Sequence, residues 1–267
     1  MSDSDPDATD ARIRREPPRF RRATVARVSA MSPHMVRVTL TGRELDGLRV
    51  DEPAASVRLL LPSPGSPALV LPTWAGNEFR WPDGSRALIR TLTPVRADGL
   101  AHELDLDIVL HGVGVASDWA RAATLGDPAA ISGPGRGYAI DLDATDYVIA
   151  GDESAIPAMR QLVEALPAAA VIRVFIEVAL PDARIALPSL PGRTVTWLDR
   201  AAAALPGDAL FHAMTRADIG PGTRVWVAGE AAAVQRIRRH LFTERGVERA
   251  HATVRGYWKH GRGGSPE

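Results

Sequence analysis

The sequence contains no cysteine and only one lysine, Lys259, among its 32 basic residues. The absence of cysteine excludes disulfides, iron–sulfur clusters held by thiolates, and cysteine nucleophiles, so any redox chemistry would have to come from a bound cofactor. The 32 acidic residues balance the 32 Lys and Arg residues. The chain therefore lacks the overall field that would attract nucleic acid or an anionic membrane, and we interpret the excess of arginine over lysine as a compositional bias.

Long apolar runs are missing as well. No segment approaches the roughly 20 apolar residues that a transmembrane helix needs, and the N-terminus lacks the basic-then-apolar order of a signal peptide. We expect a cytoplasmic monomer with no nucleic-acid partner and no membrane insertion. The chain has 267 residues, 45% of them hydrophobic, which favours two domains.

The first part of the chain has the pattern of short strands separated by Gly, Pro and Asp turns, with little helix. Six such strands predict a small closed antiparallel barrel. In the run 103–108 polar and apolar residues alternate, which predicts a solvated face for its carboxylates. The six predicted strands are Ala23–Val28, Met35–Leu40, Val57–Leu61, Ala87–Thr91, Glu103–Leu110 and Ala129–Ser132.

After Tyr147 the pattern changes to apolar strands alternating with helices or long crossovers, which predicts a parallel α/β domain. We place a disordered tail at 1–17, the barrel at 18–141, the α/β domain at 142–262 and a tail at 263–267. Helix Ala231–Phe242 is predicted to precede the last strand. The predicted parallel strands are Tyr147–Ala150, Val171–Val178, Thr194–Leu198, Arg224–Ala228 and Thr253–Tyr257.

The turn after the first parallel strand has the outline of a nucleotide site. Residues 151–154 join this strand to a helix with Pro157 in its first turn, and a helix N-terminus binds anions. The turn nevertheless lacks the G-x-G-x-x-G fingerprint, and Asp152 and Glu153 place negative charge where a pyrophosphate would be expected. This element alone does not distinguish a nucleotide site from a purely structural unit.

Two further motifs lie in the barrel part. The run Arg90-Thr91-Leu92-Thr93-Pro94 ends a predicted strand, and about twenty residues later comes His111-Gly112-Val113-Gly114-Val115-Ala116-Ser117. The glycines of the second motif allow close approach of a ligand to the backbone. Ser117 is predicted to be the N-cap of a helix Ser117–Ala123, which would aim free N–H groups at a ligand.

A barrel followed by a parallel nucleotide-type domain is the arrangement of ferredoxin-reductase-like flavoproteins, and the motifs narrow the resemblance. From about Arg19 to Arg262 the chain closely resembles the siderophore-interacting protein family, the flavin-dependent ferric-siderophore reductases. The stretches that carry it are LHGVGVASDWA at 110–120, GDESAIPA at 151–158, WVAGE at 226–230 and GYWKHG at 256–261.

The resemblance implies FAD and NAD(P)H as cofactors, a ferric siderophore as substrate, no metal ligands and no obligatory catalytic side chain. It implies that cofactors contact Arg90, Thr91, Leu92, Thr93, His111, Gly112, Gly114, Val115, Ala116 and Ser117 on the FAD side, and Asp152, Glu153, Ser154, Gly229 and Glu230 on the nicotinamide side. The sequence departs from the family at Leu92, where an aromatic residue is usual, and at Val95, where the family often has arginine. Losing an aromatic stack worth about 0.5–1.5 kcal/mol predicts weaker FAD binding.

The C-terminal run from Tyr257 to Arg262 follows the last predicted strand. In the wider superfamily a C-terminal aromatic covers the flavin, and Trp258 or Tyr257 would do so here. Lys259 and Arg262, with Arg96 across the cleft and Tyr257 in its wall, would bind the anionic chelate. We do not interpret His260 as a metal ligand, because it has no spaced partner.

Two alternatives to the siderophore reductase remain open from the sequence. One is a flavin reductase or the reductase of an electron-transfer chain. The other is a siderophore-binding protein without enzymatic activity, whose FAD is weakly bound or lost. The sequence also leaves NADH and NADPH open, because Glu177 would favour a ribose 2′-hydroxyl whereas Arg184 would meet a 2′-phosphate.

Overall fold

The computed structural model describes residues 19–63, 68–75, 78–112 and 114–261. The predicted tails at 1–17 and 263–267 and the predicted substrate residue Arg262 lie outside these ranges. The chain forms an antiparallel sheet and then a parallel one, as predicted. None of the described helices is long and apolar enough to cross a membrane.

In the described residues, nine strands and one α-helix precede the parallel sheet, with a 3-10 turn at Arg43–Leu45. They are β1 (Arg21–Ser32), β2 (Met35–Thr41), β3 (Val57–Leu60), β4 (Thr73–Ala75), β5 (Glu78–Arg80), β6 (Ile89–Leu92), β7 (Pro94–Asp98), β8 (Glu103–Val109), α1 (Val115–Ala122) and β9 (Pro128–Ser132). Strands β4 and β5 form a separate hairpin, and the other seven form one antiparallel sheet in the order β6-β3-β9-β1-β2-β8-β7.

This sheet has one strand more than the six predicted. The added strand is β7. The sequence pattern does not predict it, because the strand begins with proline and ends with aspartate, and both residues are rare in strands. The sheet is also not a barrel closed by hydrogen bonds. It curls into a half-barrel whose terminal strands, β6 and β7, are joined only through Thr93, so that residue lies at the seam of the sheet.

The carboxylates of β8 correct another expectation. Leu104 and Leu106 face the core as predicted, but Asp105 and Asp107 are only 7% and 8% exposed. Arg37 forms a two-pronged ion pair with Asp107, at 2.7 and 2.9 Å. Asp105 accepts hydrogen bonds from Arg96 and from Thr39 Oγ1. Side chains from neighbouring strands therefore cover the acids that the alternation alone suggested were solvated.

The parallel sheet has the five strands predicted, flanked by three helices. The elements are β10 (Asp146–Asp152), α2 (Ile156–Ala165), β11 (Val171–Val178), β12 (Arg193–Asp199), α3 (Asp208–Arg216), β13 (Arg224–Glu230), α4 (Ala231–Arg239) and β14 (Ala252–Trp258). The strand order is β12-β11-β10-β13-β14, and α4 continues through a π-helical turn at His240–Glu244. Pro157 occupies the first turn of α2, as predicted.

Burial on both faces explains why the central parallel strands β10 and β13 are continuous apolar runs. Along β10, Ile149 packs in the cluster on the α2 side, whereas Val148 and Ala150 pack in the cluster under α3 and α4. The α2-side cluster also contains Met35 of the antiparallel sheet. The apolar core is thus continuous across the boundary between the two sheets.

One polar side chain fixes α2 against the antiparallel domain. Gln161 Nε2 donates to the carbonyl oxygen of Pro94 at 2.7 Å, and Gln161 Oε1 accepts from the amide of Ala54 at 2.8 Å. Both contacts satisfy backbone groups next to the seam at Thr93. The boundary therefore combines apolar packing with a specific hydrogen-bonded link that sets how the two sheets meet.

Candidate functional site

The carboxyl edge of the parallel sheet brings together the residues predicted for the nicotinamide side. From the central strand β10 the chain continues to β11 on one side and reaches β13 on the other, so the crevice at the ends of β10 and β13 is a topological switch point. Open α/β sheets bind ligands in such crevices. Asp152 and Ser154 lie at the end of β10, Gly229 and Glu230 at the end of β13, and Trp258 at the end of β14.

Asp152 is the hub of this edge. Its Oδ1 accepts from the amide and the hydroxyl of Ser154, at 3.0 and 2.5 Å. Its Oδ2 accepts from the amide of Glu230 and from Nε1 of Trp258, both at 2.8 Å. Burial raises the pKa of Asp152, while these hydrogen bonds act in the opposite direction. The carboxylate faces inward and ties three strand ends together, whereas the sequence had suggested a charge facing the pyrophosphate.

Gly229 makes this arrangement possible. Its φ is +155°, a conformation that residues with a side chain rarely adopt. A Cβ at this position would lie 2.6 Å from Asp152 Oδ2. The glycine is therefore required where the Asp152 carboxylate passes to reach β14.

Glu230 is a second buried carboxylate that holds protein backbone. Its Oε2 accepts from the amide of Ala233 at 2.9 Å, so it is the N-cap of α4. Its Oε1 accepts from the amide of His260 at 3.1 Å. Like Asp152, Glu230 is at the predicted edge but contacts the chain itself.

Two further acids of the edge are used in the same way. Glu153 accepts a hydrogen bond from the amide of Ala179, just after β11, and its pKa is raised mainly by burial. Glu177 accepts from the amides of Gly207 and Leu210 at 2.6 and 2.9 Å, and so caps the start of α3. Burial likewise raises the pKa of Glu177. This carboxylate is buried and already hydrogen-bonded to two backbone amides. The structure therefore does not support the expected contact between Glu177 and a ribose hydroxyl.

The predicted FAD motif lies on β6, at one side of the seam. In the pairing of β6 with β3, Arg90 is opposite Leu59 and Leu92 is opposite Val57, so Arg90 and Leu92 share the inner face. Arg90 donates to the carbonyl oxygen of Ile89 at 2.8 Å. Leu92 is half-buried against the core of the antiparallel domain. Thr91 points to the opposite face and is exposed, whereas Thr93 is buried.

The second FAD motif leads into α1, where the structure corrects the predicted N-cap. Helix α1 begins at Val115, two residues earlier than expected, and Ser117 lies inside it, buried. Ser117 Oγ donates to the carbonyl oxygen of His111 and accepts from the amide of the same residue. The N-cap is Gly114, which has no side chain to accept a hydrogen bond from the first turn, and its own amide donates to Asp118 Oδ2 at 3.5 Å.

The start of α1 keeps the free backbone N–H groups that the second motif was expected to offer a ligand. Val115 and Ala116 pack against the same core cluster as Leu92, whereas His111 and Gly112 are exposed. Amide groups of an uncapped first turn are available to an anion. An arginine and a helix N-terminus form a donor set that suits the pyrophosphate of a dinucleotide, so these residues fit FAD.

The C-terminal aromatics face two different neighbours. Tyr257 lies beside Thr93; burial raises the pKa of Tyr257, and the Thr93 side chain acts in the opposite direction. Tyr257 also packs edge-to-face on Trp226, with ring centroids 6.2 Å apart. Trp258, 38% exposed, instead donates to Asp152 at the sheet edge. Tyr257 is thus joined to the predicted FAD motif and Trp258 to the predicted nicotinamide edge.

The predicted substrate residues are not all brought together. Arg96 forms ion pairs with Asp98, Glu103 and Asp105 on the antiparallel sheet, so its charge is already balanced there. Lys259 is exposed next to Trp258, and Arg262 lies outside the described residues. Among the described residues no group of three or more His, Cys, Asp or Glu side chains is positioned to hold a metal.

Sequence reasoning missed a basic cavity of about 460 Å³ between the segment after β9 and the strands β13 and β14. Arg136, Arg224 and Arg255 line it, and Arg224 pairs with Asp141. Arg255 donates to the carbonyl oxygens of Arg136 and Gly137, at 3.2 and 2.9 Å. These arginines are far apart in sequence, so no local motif marks the cavity.

Comparisons with known proteins agree with this architecture. The model of the siderophore-interacting FAD-binding domain matches residues 24–138, and that of the siderophore-interacting protein matches residues 144–261. The chain belongs to the siderophore-interacting protein family. The chain is similar to the ferric vibriobactin reductase of Vibrio cholerae, with 30% identity over 239 residues that cover 87% of this chain and 86% of that one.

Two further relatives support the assignment. The NADPH-dependent ferric-chelate reductase of Escherichia coli is 30% identical over 253 residues, covering 90% of this chain and 93% of the other. The crystal structure of a siderophore utilization protein from T. fusca superposes with a TM-score of 0.81 at 36% identity, covering 92% and 95% of the two chains. The family and the fold expected from the sequence are confirmed.

Proposed function

We propose that this member of the family is a cytoplasmic, monomeric ferric-siderophore reductase that uses FAD and takes its electrons from NAD(P)H. The family, the FAD-binding domain and the relatives named as reductases support an oxidoreductase. When bound, FAD would accept a hydride from the nicotinamide and deliver electrons one at a time to iron(III) in its chelate. The protein then has to bind and orient the reactants, and it needs no general acid or base.

One observation carries the proposal: a row of side chains on β14 connects the basic cavity with the FAD motif. Thr253 and Arg255 line the cavity, and Tyr257, on the same face of the strand, lies beside Thr93. Alternate residues of a strand are about 7 Å apart. A chelate in the cavity would therefore lie within a few side chains of a flavin bound at β6.

Each group of residues has a distinct part in this proposal. Arg90 and the start of α1 would hold the FAD pyrophosphate, and Thr93 would contact the flavin ring. The arginines of the cavity would attract a chelate that carries negative charge, as ferric catecholates do. Reduction weakens the hold of the chelate on iron, because siderophores bind iron(II) far less tightly than iron(III).

The deciding experiment is anaerobic turnover of the purified protein with ferric siderophores, with NADH or NADPH, and with or without added FAD. Iron(II) is trapped by a coloured ferrous chelator and measured by absorbance. We expect turnover that depends on FAD and on the nicotinamide nucleotide. Turnover with free flavin or a protein acceptor but none with ferric chelates would identify the alternative reductase. Siderophore binding without flavin binding or turnover would identify a binding protein.

The role of the cavity has its own test. Arg136→Ala removes an exposed charge while keeping the backbone carbonyl that Arg255 uses. We expect kcat/KM to fall more for an anionic ferric catecholate than for a neutral ferric hydroxamate, and the difference to shrink at high salt. Arg239→Ala, at an exposed position on α4, is the matched control. The same comparison with Lys259→Ala shows whether the C-terminal lysine contributes, and equal losses for both chelates would exclude a charge-selective site.

A further inference from the structure

Two buried carboxylates hold the stretch of chain that follows β14. We call this stretch, Trp258–His260, the C-terminal segment. Asp152 accepts from its indole at 2.8 Å, and Glu230 accepts from its His260 amide at 3.1 Å. The two acids are only 8% and 4% exposed. The segment is therefore fixed at both ends to acids in the interior of the sheet edge.

The indole depends on this contact for its position. Trp258 is 38% exposed, so it does not owe its place to burial in the core, and its ring neighbour in the segment is His260, 6.4 Å away. Asp152 accepts four hydrogen bonds, two on each oxygen, which fills its capacity as an acceptor. The Asp152 carboxylate has no acceptor position left for a ligand. Its partner on the outer side of the sheet edge is the Trp258 indole.

We infer that Asp152 and Glu230 are positioning residues that hold Trp258 over the crevice between β10 and β13, where the nicotinamide has to enter. This inference rests on the proposed function for the identity of the entering group. The crevice is the switch point of the sheet, and the indole is attached to the strand end that forms one of its walls. The hydride donor then has to displace an indole held by a buried carboxylate, which raises the KM for the donor.

The chain provides a site-specific probe of the segment, because Lys259 is its only lysine. The lysine-specific endoprotease Lys-C has one cleavage site, inside the segment, and the assay needs neither FAD nor a nicotinamide. When the segment opens and closes faster than it is cleaved, the cleavage rate follows the open population. Release of the C-terminal peptide is followed by mass spectrometry.

The variants separate the indole contact from general damage. Trp258→Phe keeps an aromatic ring and removes only the N–H donor, and Asp152→Asn removes the charge that receives it. We expect each variant to be cleaved at least about tenfold faster than the parent. The acceleration in the double variant should be smaller than the product of the two single accelerations. Asp146→Asn is the matched control, because Asp146 lies at the opposite end of β10 in an ion pair with Arg173. The cleavage rate of Asp146→Asn should lie within about twofold of that of the parent, after correction for the measured stability of the variant.

A kinetic readout tests the link to the donor. With FAD bound, Trp258→Phe and Asp152→Asn should both lower the KM for NAD(P)H several-fold. Trp258→Phe does not alter charge, so agreement between the two variants excludes simple electrostatic attraction. Cleavage rates equal to the parent would overturn the positioning role. Faster cleavage with an unchanged KM would overturn the role toward the donor, and inactivity of the parent with every ferric chelate would reject the proposed function alone.

Discussion

The side chains of Thr93 and Tyr257 meet across the boundary between the two sheets. Thr93 is the single residue between the terminal strands of the antiparallel sheet, and Tyr257 lies near the end of the last parallel strand. Gln161 binds the carbonyl group of Pro94, the next residue in the chain. The seam of one domain is thus fixed by side chains of the other, and the predicted FAD motif lies beside it.

We predict that Arg90→Ala weakens FAD binding. The lost charge-assisted contact to phosphate is worth about 1.5–3 kcal/mol, which corresponds to a dissociation constant raised about 10- to 150-fold. Quenching of flavin fluorescence during titration of the FAD-free protein measures it. Arg58→Ala is the control, since Arg58 is on the neighbouring strand opposite Thr91, on the other face from Arg90. Equal affinities for the parent and Arg90→Ala would place the pyrophosphate elsewhere.

We predict that Leu92→Tyr tightens FAD binding. Leu92 shares the inner face of β6 with Arg90, and an aromatic ring there would stack on the flavin for about 0.5–1.5 kcal/mol. The gain corresponds to a several-fold lower dissociation constant, measured by the same titration and by the FAD content after purification. Leu92→Met, which keeps the size without the ring, should not show the gain. An unchanged affinity for Leu92→Tyr would mean that position 92 serves only the core.

Glu177 is predicted to matter for stability and not for the choice of nicotinamide. Glu177→Ala leaves the amides of Gly207 and Leu210 without their acceptor, at a cost of about 1–3 kcal/mol in the free energy of unfolding. Denaturant unfolding measures the loss, and Glu177→Gln should lose less because it keeps one acceptor. The ratio of kcat/KM for NADH to that for NADPH should be unchanged in Glu177→Gln. A shift of this ratio towards NADPH would restore the ribose contact that the structure disfavours.

The acid stability of the protein should depend on Glu103. Hydrogen bonds from Arg27 and Arg96 lower the pKa of Glu103 from its ordinary 4.5 to about 2. Because the folded-state pKa is the lower one, the contribution is fully present above the ordinary pKa and is lost as the pH falls towards about 2. The difference in free energy of unfolding between the parent and Glu103→Gln should follow this course and shrink in high salt. A difference that does not change between pH 6 and pH 2 would contradict it.

The sequence predicted the elements better than the direction of polar side chains. The central parallel strands β10 and β13 were found because they are apolar on both faces, and β7 was missed because Pro94 and Asp98 mask it. Alternation identified the outward face of β8 but not the arginines of other strands that cover it. Such coverage depends on tertiary neighbours, which no local pattern encodes.

The same limit applies to the candidate site. The motifs placed Asp152 and Glu230 at one edge of the parallel sheet, where the structure has them, but the direction of their carboxylates depends on the neighbouring strand ends and on the space that Gly229 leaves. The basic cavity could not be predicted, since Arg255 meets the backbone of Arg136 across 119 positions of sequence. Resemblance to a family supplied what periodicity could not, namely which short motifs belong together.

The position of β14 has a consequence for the order in which the protein matures. The central strand β10 is made before its neighbours, and β14, which carries Arg255, Tyr257 and Trp258, is made after the other described strands. The antiparallel domain can fold first during synthesis, but until β14 docks it lacks the tyrosine at its seam and the cavity lacks an arginine. Closure of the seam and completion of the cavity therefore both depend on the docking of the same strand.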